Sequence, residues 1–128
     1  TRDVVKLGSL DPSRDFTFVT DTVDGFLRAA AAENVLGEEI NLGNDNTIRI
    51  GDLAEKIFAI IGKSPKLVAD SQRVRPDKSE VLKLWASNKT AKEMLGWEPR
   101  ISLDEGLRRT AEWISAHLDL YQPDQYTV

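Results

Sequence analysis

The sequence predicts an α/β fold, a small mixed domain of short strands and about four helices. Apolar residues alternate over short β-rich runs in some segments and recur at three- and four-residue spacings in others. Glycines follow several of the helical patterns, where a chain can turn through the left-handed conformation. With 128 residues, 41% of them hydrophobic, the chain has the length and composition of one domain with one modest core.

Four segments are predicted to be strands because they are short, rich in β-branched or aromatic residues and bounded by turn residues. They cover residues 4–7, 16–19, 39–42 and 66–68. The stretch over residues 70–85 is charged and shows no periodicity, which predicts an irregular segment there.

Four helices are predicted because their apolar residues recur on one side of a helical repeat. They cover residues 21–33, 50–61, 88–95 and 103–118. Thr20 or Asp21 is positioned to cap the first helix. A glycine directly after the second and the third pattern predicts where each of those helices ends. Ser102 and Glu105 have the spacing of a capping box, which predicts the start of the fourth helix.

Composition excludes several classes of function. A net charge of −4 argues against general affinity for nucleic acid or for an acidic membrane surface. The chain has no cysteine, which excludes disulfides and thiolate chemistry and is compatible with the cytoplasm, the predicted location. His117 is the only histidine, so a histidine-based zinc site is not expected. No apolar run reaches the length of a membrane span.

Two arginines, Arg14 and Arg75, lie at positions in the sequence where they could bind an anion. Arg14 precedes a predicted strand, and Arg75 precedes Pro76, which disfavours a helical conformation for the residue before it. A guanidinium group is planar and permanently charged, and its fork of donors matches phosphate or carboxylate. The pattern therefore permits an anion-binding site at these two arginines. The alternative is that each pairs with a nearby carboxylate, such as Asp15 or Asp77, as an ordinary surface ion pair.

Four segments, in order along the chain, resemble the C-terminal part of the extended short-chain dehydrogenase/reductase family, the NAD-dependent epimerases and dehydratases of nucleotide sugars. These segments are RDFTFVTD at residues 14–21, EINLG at 39–43, RVRPDKSEV at 73–81 and NKTAKEMLGW at 88–97. The third segment most resembles the branch of 4,6-dehydratases that act on dTDP-glucose or on UDP- or GDP-N-acetylglucosamine.

The resemblance implies that residues 1–128 form a single substrate-binding domain or fragment of a Rossmann-type parent enzyme. In the family, NAD is bound by an N-terminal Rossmann portion with a glycine-rich turn, and catalysis uses a Tyr-x-x-x-Lys pair. The sequence contains neither motif. No catalytic, cofactor-binding or metal-binding residue is therefore predicted here, and the chain by itself is predicted to be inactive. An absent Rossmann portion is expected to leave apolar surface uncovered, which favours self-association.

The resemblance also implies a partner, a nucleotide sugar linked to dTDP, UDP or GDP. In the family, the arginines that match Arg14 and Arg75 contact the diphosphate or the adjacent sugar, and Arg49 is a further candidate for the base or ribose because it lies just beyond the turn at residues 44–46. The family lets the base approach the turn at residues 44–46. In the parent, NAD would take a hydride from C4 of the sugar; a dehydratase would then eliminate water across C5 and C6, and an epimerase would return the hydride from the opposite face.

Two other classes of function stay open on the sequence. One is a module that binds nucleotides or anions without catalysis, and the other is an interaction domain whose arginines are only surface charge. Asp21 is interpreted as a helix-starting carboxylate rather than an acid–base group. Trp97 and Trp113 are interpreted as core or helix-packing residues, whereas the role of Trp85 is left open because it follows the arginine segment.

Overall fold

The computed structural model describes residues 3–70 and 81–121, and within these ranges short strands alternate with helices. The strands are β1 (Val4–Leu7), β2 (Ser13–Arg14), β3 (Ile48–Arg49), β4 (Lys66–Ala69) and β5 (Lys83–Leu84). The helices are α1 (Val19–Ala31), α2 (Ile50–Ile61), α3 (Lys89–Leu95) and α4 (Leu103–Ala116), and a 3-10 helix (Leu118–Leu120) follows α4. The predicted α/β class is confirmed.

The strands form two small sheets. In one of them β1 and β4 pair in parallel, with Val4 opposite Lys66 and Leu7 opposite Ala69. In the other, β2 lies in the middle, antiparallel to β3 and parallel to β5. The central strand β2 carries Arg14, with Ile48 of β3 opposite it on one side and Leu84 of β5 on the other.

The strand predicted over residues 16–19 is wrong. β2 ends at Arg14, and α1 already begins at Val19. The backbone carbonyl oxygen of Phe16 accepts a hydrogen bond from the side-chain amide of Asn44 rather than from a neighbouring strand. Residues with high β propensity form a strand only where a neighbouring strand is available to pair with them. The described fold has no strand that pairs with residues 16–19.

The strand predicted over residues 39–42 is also wrong, since the described residues form no strand there. The backbone just beyond it is held by side chains. Asn88 Nδ2 donates a 3.2 Å hydrogen bond to the carbonyl oxygen of Gly43, and the backbone N–H of Asn44 donates a 2.9 Å hydrogen bond to Asp15 Oδ2. These polar contacts satisfy groups that a strand ladder would otherwise satisfy.

The first helix begins and ends two residues before the predicted bounds of 21–33. Phe18 is its N-cap residue and provides no side-chain cap, so the prediction of a cap at Thr20 or Asp21 is wrong. Both of these residues lie inside the first turn. The carboxylate of Asp21 instead accepts hydrogen bonds from the backbone N–H groups of Arg100 and Ile101, far along the chain.

Three apolar side chains of α1 point away from the described core. Val23, Phe26 and Leu27 are 50%, 68% and 66% exposed, whereas Asp21 and Gly25 on the same helix are buried. The spacing of these apolar residues predicted a helix correctly. The exposed face agrees with the expectation that apolar surface is left uncovered.

The ends of α2 and α3 follow the prediction. Gly62 follows α2 with φ at 65°, and Gly96 follows α3 with φ at 60°. In both cases the glycine N–H closes the last turn of its helix. This left-handed conformation costs little for glycine and more for other residues, which explains why the helices end where the glycines stand.

α4 begins with the predicted cap. The hydroxyl oxygen of Ser102 accepts a 3.3 Å hydrogen bond from the backbone N–H of Glu105. The carboxylate of Glu105 pairs with Arg108 and Arg109, one helical turn away. α4 ends at Ala116, two residues before the predicted end, because His117 leaves the helical conformation.

The core lies between the helices, where α1 packs on α3 and α2 packs on α4. Trp97 and Ala91 are fully buried, and Ala54 and Phe58 are nearly so. The interpretation of Trp97 as a core residue is confirmed, whereas that of Trp113 is wrong. Trp113 is 50% exposed and stacks on His117 with 4.3 Å between ring centroids.

Among the described residues, no helix combines the length and the apolar character that a membrane span requires.

Candidate functional site

Arg14 stands at the centre of the candidate site. Its strand is held on one side by β3 and on the other by β5, so its position is determined by three separate parts of the chain. Its Nη1 donates a 2.9 Å hydrogen bond to the carbonyl oxygen of Ser13. Arg14 lines two cavities of similar size.

The first cavity, here called the α4 cavity, has a volume of about 450 Å³. Its lining includes Arg14, Asn44, Asn46, Ile48, Lys56 and Asp104. Lys56 of α2 and Asp104 of α4 form a salt bridge with 2.8 Å between Nζ and Oδ1. The cavity lining therefore combines two cations, two carboxylates (Asp15 and Asp104) and two side-chain amides, a set of donors and acceptors that suits a polar ligand.

The second cavity, here called the Trp85 cavity, has a volume of about 430 Å³. Its lining includes Arg14, Asp15, Asn41, Gly43, Leu84 and Trp85. The Trp85 ring is 51% exposed, and Lys83 Nζ lies 4.6 Å from the centroid of that ring. This cavity offers an aromatic and an aliphatic wall beside the same arginine.

Asp15 separates the two cavities and lines both of them. Its Oδ2 accepts hydrogen bonds from the backbone N–H of Asn44, at 2.9 Å, and of Ala86, at 3.5 Å. Its Oδ1 is buried without a hydrogen-bond partner among the described residues. Gly43 is tightly enclosed here, because a Cβ at this position would lie 2.6 Å from the carbonyl oxygen of Ala86 and 2.8 Å from Asp15 Oδ2.

Side chains of the turn at residues 44–46 hydrogen-bond to neighbouring groups and also line the α4 cavity. Asn44 donates from its side-chain amide to the carbonyl oxygen of Phe16 and, at 3.2 Å, to Thr17 Oγ1. Asn46 Oδ1 accepts a 2.8 Å hydrogen bond from the backbone N–H of Thr47. Asp45 adopts the left-handed conformation with φ at 55°, as the predicted turn requires.

The other two predicted binding residues are placed differently. Arg49 lies on β3 with its side chain 55% exposed, and it is not part of the lining of either cavity. Its Nη2 is 3.6 Å from Asp11 Oδ1, and its Nε is 3.9 Å from Asp52 Oδ2. Arg75 lies outside the described residues, so its convergence with Arg14 stays a prediction.

Sequence reasoning did not single out Lys56 or Asp104, and it considered Asp15 only as a partner for Arg14. The capping box at Ser102 located the start of α4, which carries Asp104, but gave no sign that α2 lies beside it. Asp15 directly follows Arg14 in the segment at residues 14–21 that resembles the family. This position next to Arg14 was the only feature of the sequence that could have pointed to Asp15 as a site residue.

A Rossmann-type NAD site needs a glycine-rich turn between a strand and the helix after it. Among the described residues, β3 runs directly into α2 with a single glycine, Gly51, in the first turn. Residues 15–18, between β2 and α1, and residues 85–88, between β5 and α3, contain no glycine. Within residues 3–70 and 81–121, no group of three or more acidic or histidine side chains is placed to hold a metal ion.

Comparison with protein families gives a match over most of the chain. Residues 1–110 match the family described as GDP-mannose 4,6 dehydratase. A UDP-glucuronate 4-epimerase from Thermodesulfobacterium geofontis is 37% identical over 110 residues, which cover 84% of this chain and 32% of that protein. The chain thus spans about a third of the length of this relative.

Solved structures of similar proteins show the same architecture. An epimerase from Methanothermobacter thermautotrophicus superposes with a TM-score of 0.80 at 29% identity, covering 90% of this chain and 34% of that one. UDP-glucuronic acid 4-epimerase from Bacillus cereus, in complex with UDP-glucuronic acid and NAD, gives a TM-score of 0.77 at 28% identity, covering 92% of this chain and 35% of that one.

The family match over residues 1–110, the similarity to the epimerase sequence and the superposition on solved structures lead to one assignment. The chain belongs to the GDP-mannose 4,6 dehydratase family, within the NAD-dependent epimerases and dehydratases of the extended short-chain dehydrogenase/reductase type, and corresponds to their C-terminal part.

Proposed function

We propose that this chain is the nucleotide-sugar-binding portion of an NAD-dependent sugar-nucleotide 4,6-dehydratase or epimerase, and that it holds the substrate's diphosphate with arginines. The observation that carries the proposal is the position of Arg14 on the border of two cavities in a chain of this family. A guanidinium group at that border can donate paired hydrogen bonds to a diphosphate that crosses from one cavity to the other.

The shape of a nucleotide sugar suits this arrangement, because its base and its sugar lie on opposite sides of the diphosphate. We assign the nucleoside to the α4 cavity, where the turn at residues 44–46 supplies amide groups. We assign the sugar to the Trp85 cavity. Arg75 is the second diphosphate ligand in this proposal, and Arg49 is a peripheral candidate for the base or ribose because its side chain lies outside both linings.

The proposal includes a division of labour within a longer protein. Residues 1–128 would form one substrate-binding unit, and a Rossmann portion carrying NAD and the catalytic Tyr–Lys pair would be supplied by the parent enzyme. The exposed apolar side chains Val23, Phe26 and Leu27 support this division, because such surface is normally covered in a complete protein. A cytoplasmic location, inferred from the absence of cysteine, belongs to the same proposal.

Calorimetric titration of the chain with UDP-glucuronic acid, UDP-glucose, dTDP-glucose, GDP-mannose and inorganic pyrophosphate tests the proposal. We expect weak binding of nucleotide sugars that Arg14→Ala abolishes. Arg109→Ala is the matched control, because Arg109 pairs with Glu105 on α4 and lies outside both cavities. Equal binding of pyrophosphate and nucleotide sugars would favour a simple anion-binding module, and no binding at all would favour an interaction domain.

Turnover provides a second test. The chain without its parent should not convert any of these sugars in the presence of NAD, because its sequence lacks the glycine-rich turn and the Tyr-x-x-x-Lys pair that the family uses. Measurable conversion by the pure chain would overturn the division of labour.

A further inference from the structure

The carboxylate of Asp15 occupies an unusual environment for a group next to an anion site. It lines both cavities beside Arg14, and its Oδ1 is buried without a partner among the described residues. A buried, unpaired carboxylate oxygen loses the hydration that it would have in water and therefore opposes folding. A negative charge in this place also repels a phosphate. Because both effects are unfavourable, we expect the Asp15 side chain to make a favourable contribution to the site.

The compensating role is visible in the contacts of the other oxygen. Asp15 Oδ2 accepts hydrogen bonds from the backbone N–H of Asn44 and from that of Ala86. Asn44 belongs to a wall of the α4 cavity, and Ala86 belongs to a wall of the Trp85 cavity. One carboxylate thus joins two loops that are distant in sequence; the loop that includes Asn44 lines both cavities, and the loop that includes Ala86 lines the Trp85 cavity.

Neighbouring contacts reinforce the same junction. The backbone N–H of Asp15 donates a 3.1 Å hydrogen bond to the carbonyl oxygen of Leu84 on β5. Asn88 Nδ2 donates to the carbonyl oxygen of Gly43, which draws the same two loops together from the other end. Gly43 leaves no space for a side chain between Ala86 and Asp15. The walls are therefore in direct contact, with the carboxylate at the point where they meet.

We infer that Asp15 is a positioning residue of the proposed nucleotide-sugar site: it holds the loops at Asn44 and Ala86 together so that Arg14 faces a diphosphate between two formed cavities. This inference rests on the proposed function for its ligand. The inference and a purely electrostatic argument predict opposite changes in ligand affinity when Asp15 is replaced. Removing a negative charge beside an anion site should strengthen binding, whereas releasing the two loops should weaken it.

The experiment compares Asp15→Ala with Asp104→Ala, two substitutions that each remove one carboxylate, both its charge and its hydrogen-bond acceptors, from the lining of the α4 cavity. UDP-glucuronic acid is the probe, and its affinity for the chain is measured by calorimetry. We expect Asp15→Ala to weaken binding about tenfold, a change equivalent to roughly 1.4 kcal/mol. We expect Asp104→Ala to strengthen it, because Lys56 then loses its carboxylate partner. Unchanged or stronger binding by Asp15→Ala overturns the inference.

Amide hydrogen exchange gives a readout that does not depend on the ligand. Asp15→Ala should speed exchange at the backbone amides of Asn44 and Ala86 and leave the buried indole N–H of Trp97 protected. Unchanged exchange at both amides overturns the inference even if the chain binds no nucleotide sugar. Absence of binding by the unsubstituted chain would contradict the proposed function alone, since the exchange result would still decide the role of Asp15.

Gly43→Ala provides a second variant in case Asp15→Ala does not fold. It keeps every charge but places a methyl group against Ala86 and Asp15, which pushes the same loops apart. Weaker binding or faster exchange at Asn44 supports the positioning role. A Gly43→Ala chain that matches the original in both measurements contradicts it.

Discussion

The indole nitrogen of Trp97 donates a 2.8 Å hydrogen bond to the backbone carbonyl oxygen of Asp21. Trp97 is fully buried, and Asp21 is 6% exposed. The carboxylate of the same aspartate accepts hydrogen bonds from the backbone N–H of Arg100, at 3.0 Å, and of Ile101, at 2.9 Å. Asp21, in the first turn of α1, thus holds the segment that leads into α4 through its backbone and its side chain. These hydrogen bonds explain why the carboxylate is buried.

Replacing Asp21 with alanine should lower the free energy of unfolding by about 2–4 kcal/mol, because two partly buried N–H groups lose a charged acceptor. Urea unfolding followed by tryptophan fluorescence measures the change. Asp24→Ala is the control on the same helix, since it removes only a partly exposed ion pair with Arg28 and should cost about 0–1 kcal/mol. Equal losses for the two variants would show that the Asp21 contacts contribute little.

Replacing Gly62 with alanine should destabilise the chain by about 1–2 kcal/mol through backbone conformation alone. Gly62 adopts φ of 65°, and a Cβ there would meet no atom within 4 Å, so steric crowding does not contribute. Gly62→Asn should cost less, because asparagine tolerates the left-handed conformation better than alanine does. Thermal unfolding compares the three chains, and an alanine variant as stable as the original would contradict the argument.

Hydrogen bonds from Arg108, and next from Arg109, hold the pKa of Glu105 below its ordinary value of 4.5. Since the folded pKa is the lower one, the stabilisation is present above about pH 4.5 and is lost as the pH falls through the folded pKa. Arg108→Ala should raise the pKa of Glu105 towards 4.5, measured by NMR titration of its carboxyl carbon. Lys89→Ala, on α3, is the control, and an unshifted Glu105 in the Arg108 variant would be the contrary result.

Arg14→Ala in the intact parent enzyme should weaken nucleotide-sugar binding by roughly ten- to a hundredfold, the range for charged hydrogen bonds of about 1.5–3 kcal/mol. Arg14→Lys should restore only part of this affinity, because lysine lacks the planar fork. Arg49→Ala should have a smaller effect than Arg14→Ala, since Arg49 lies outside both cavities. Calorimetry gives the three affinities, and full rescue by lysine would argue against bidentate contact.

The apolar face of α1 should make the chain associate with itself when no other protein portion covers it. Phe26→Glu should reduce this association by placing a charge in the middle of the exposed face, where Phe26 is 68% exposed. Ile61→Glu makes the same change at the end of α2 and should leave association intact. Light scattering after size-exclusion chromatography measures the mass, and an unsubstituted chain that is monomeric throughout would refute the prediction.

Several elements could be predicted from the sequence because they depend on neighbouring residues. The bounds of α2, the turn at Gly62 and the cap at Ser102 follow from periodicity and from backbone preferences that act over a few positions. β1 and β4 also lie where their short β-rich runs placed them. Arg14 could be selected as a candidate because a guanidinium group suits an anion and because residues 14–21 resemble a segment of the family. In the fold it lies beside two cavities.

Tertiary structure decided the features that depend on distant partners. A run of β-forming residues becomes a strand only where another backbone lies alongside it, and residues 16–19 and 39–42 have none in the described chain. The spacing of Phe26 and Leu27 specified a helix but not which side of it would face the core. The junction of Asp15 with Asn44 and Ala86 joins residues 29 and 71 positions apart, so only the folded arrangement could bring them together.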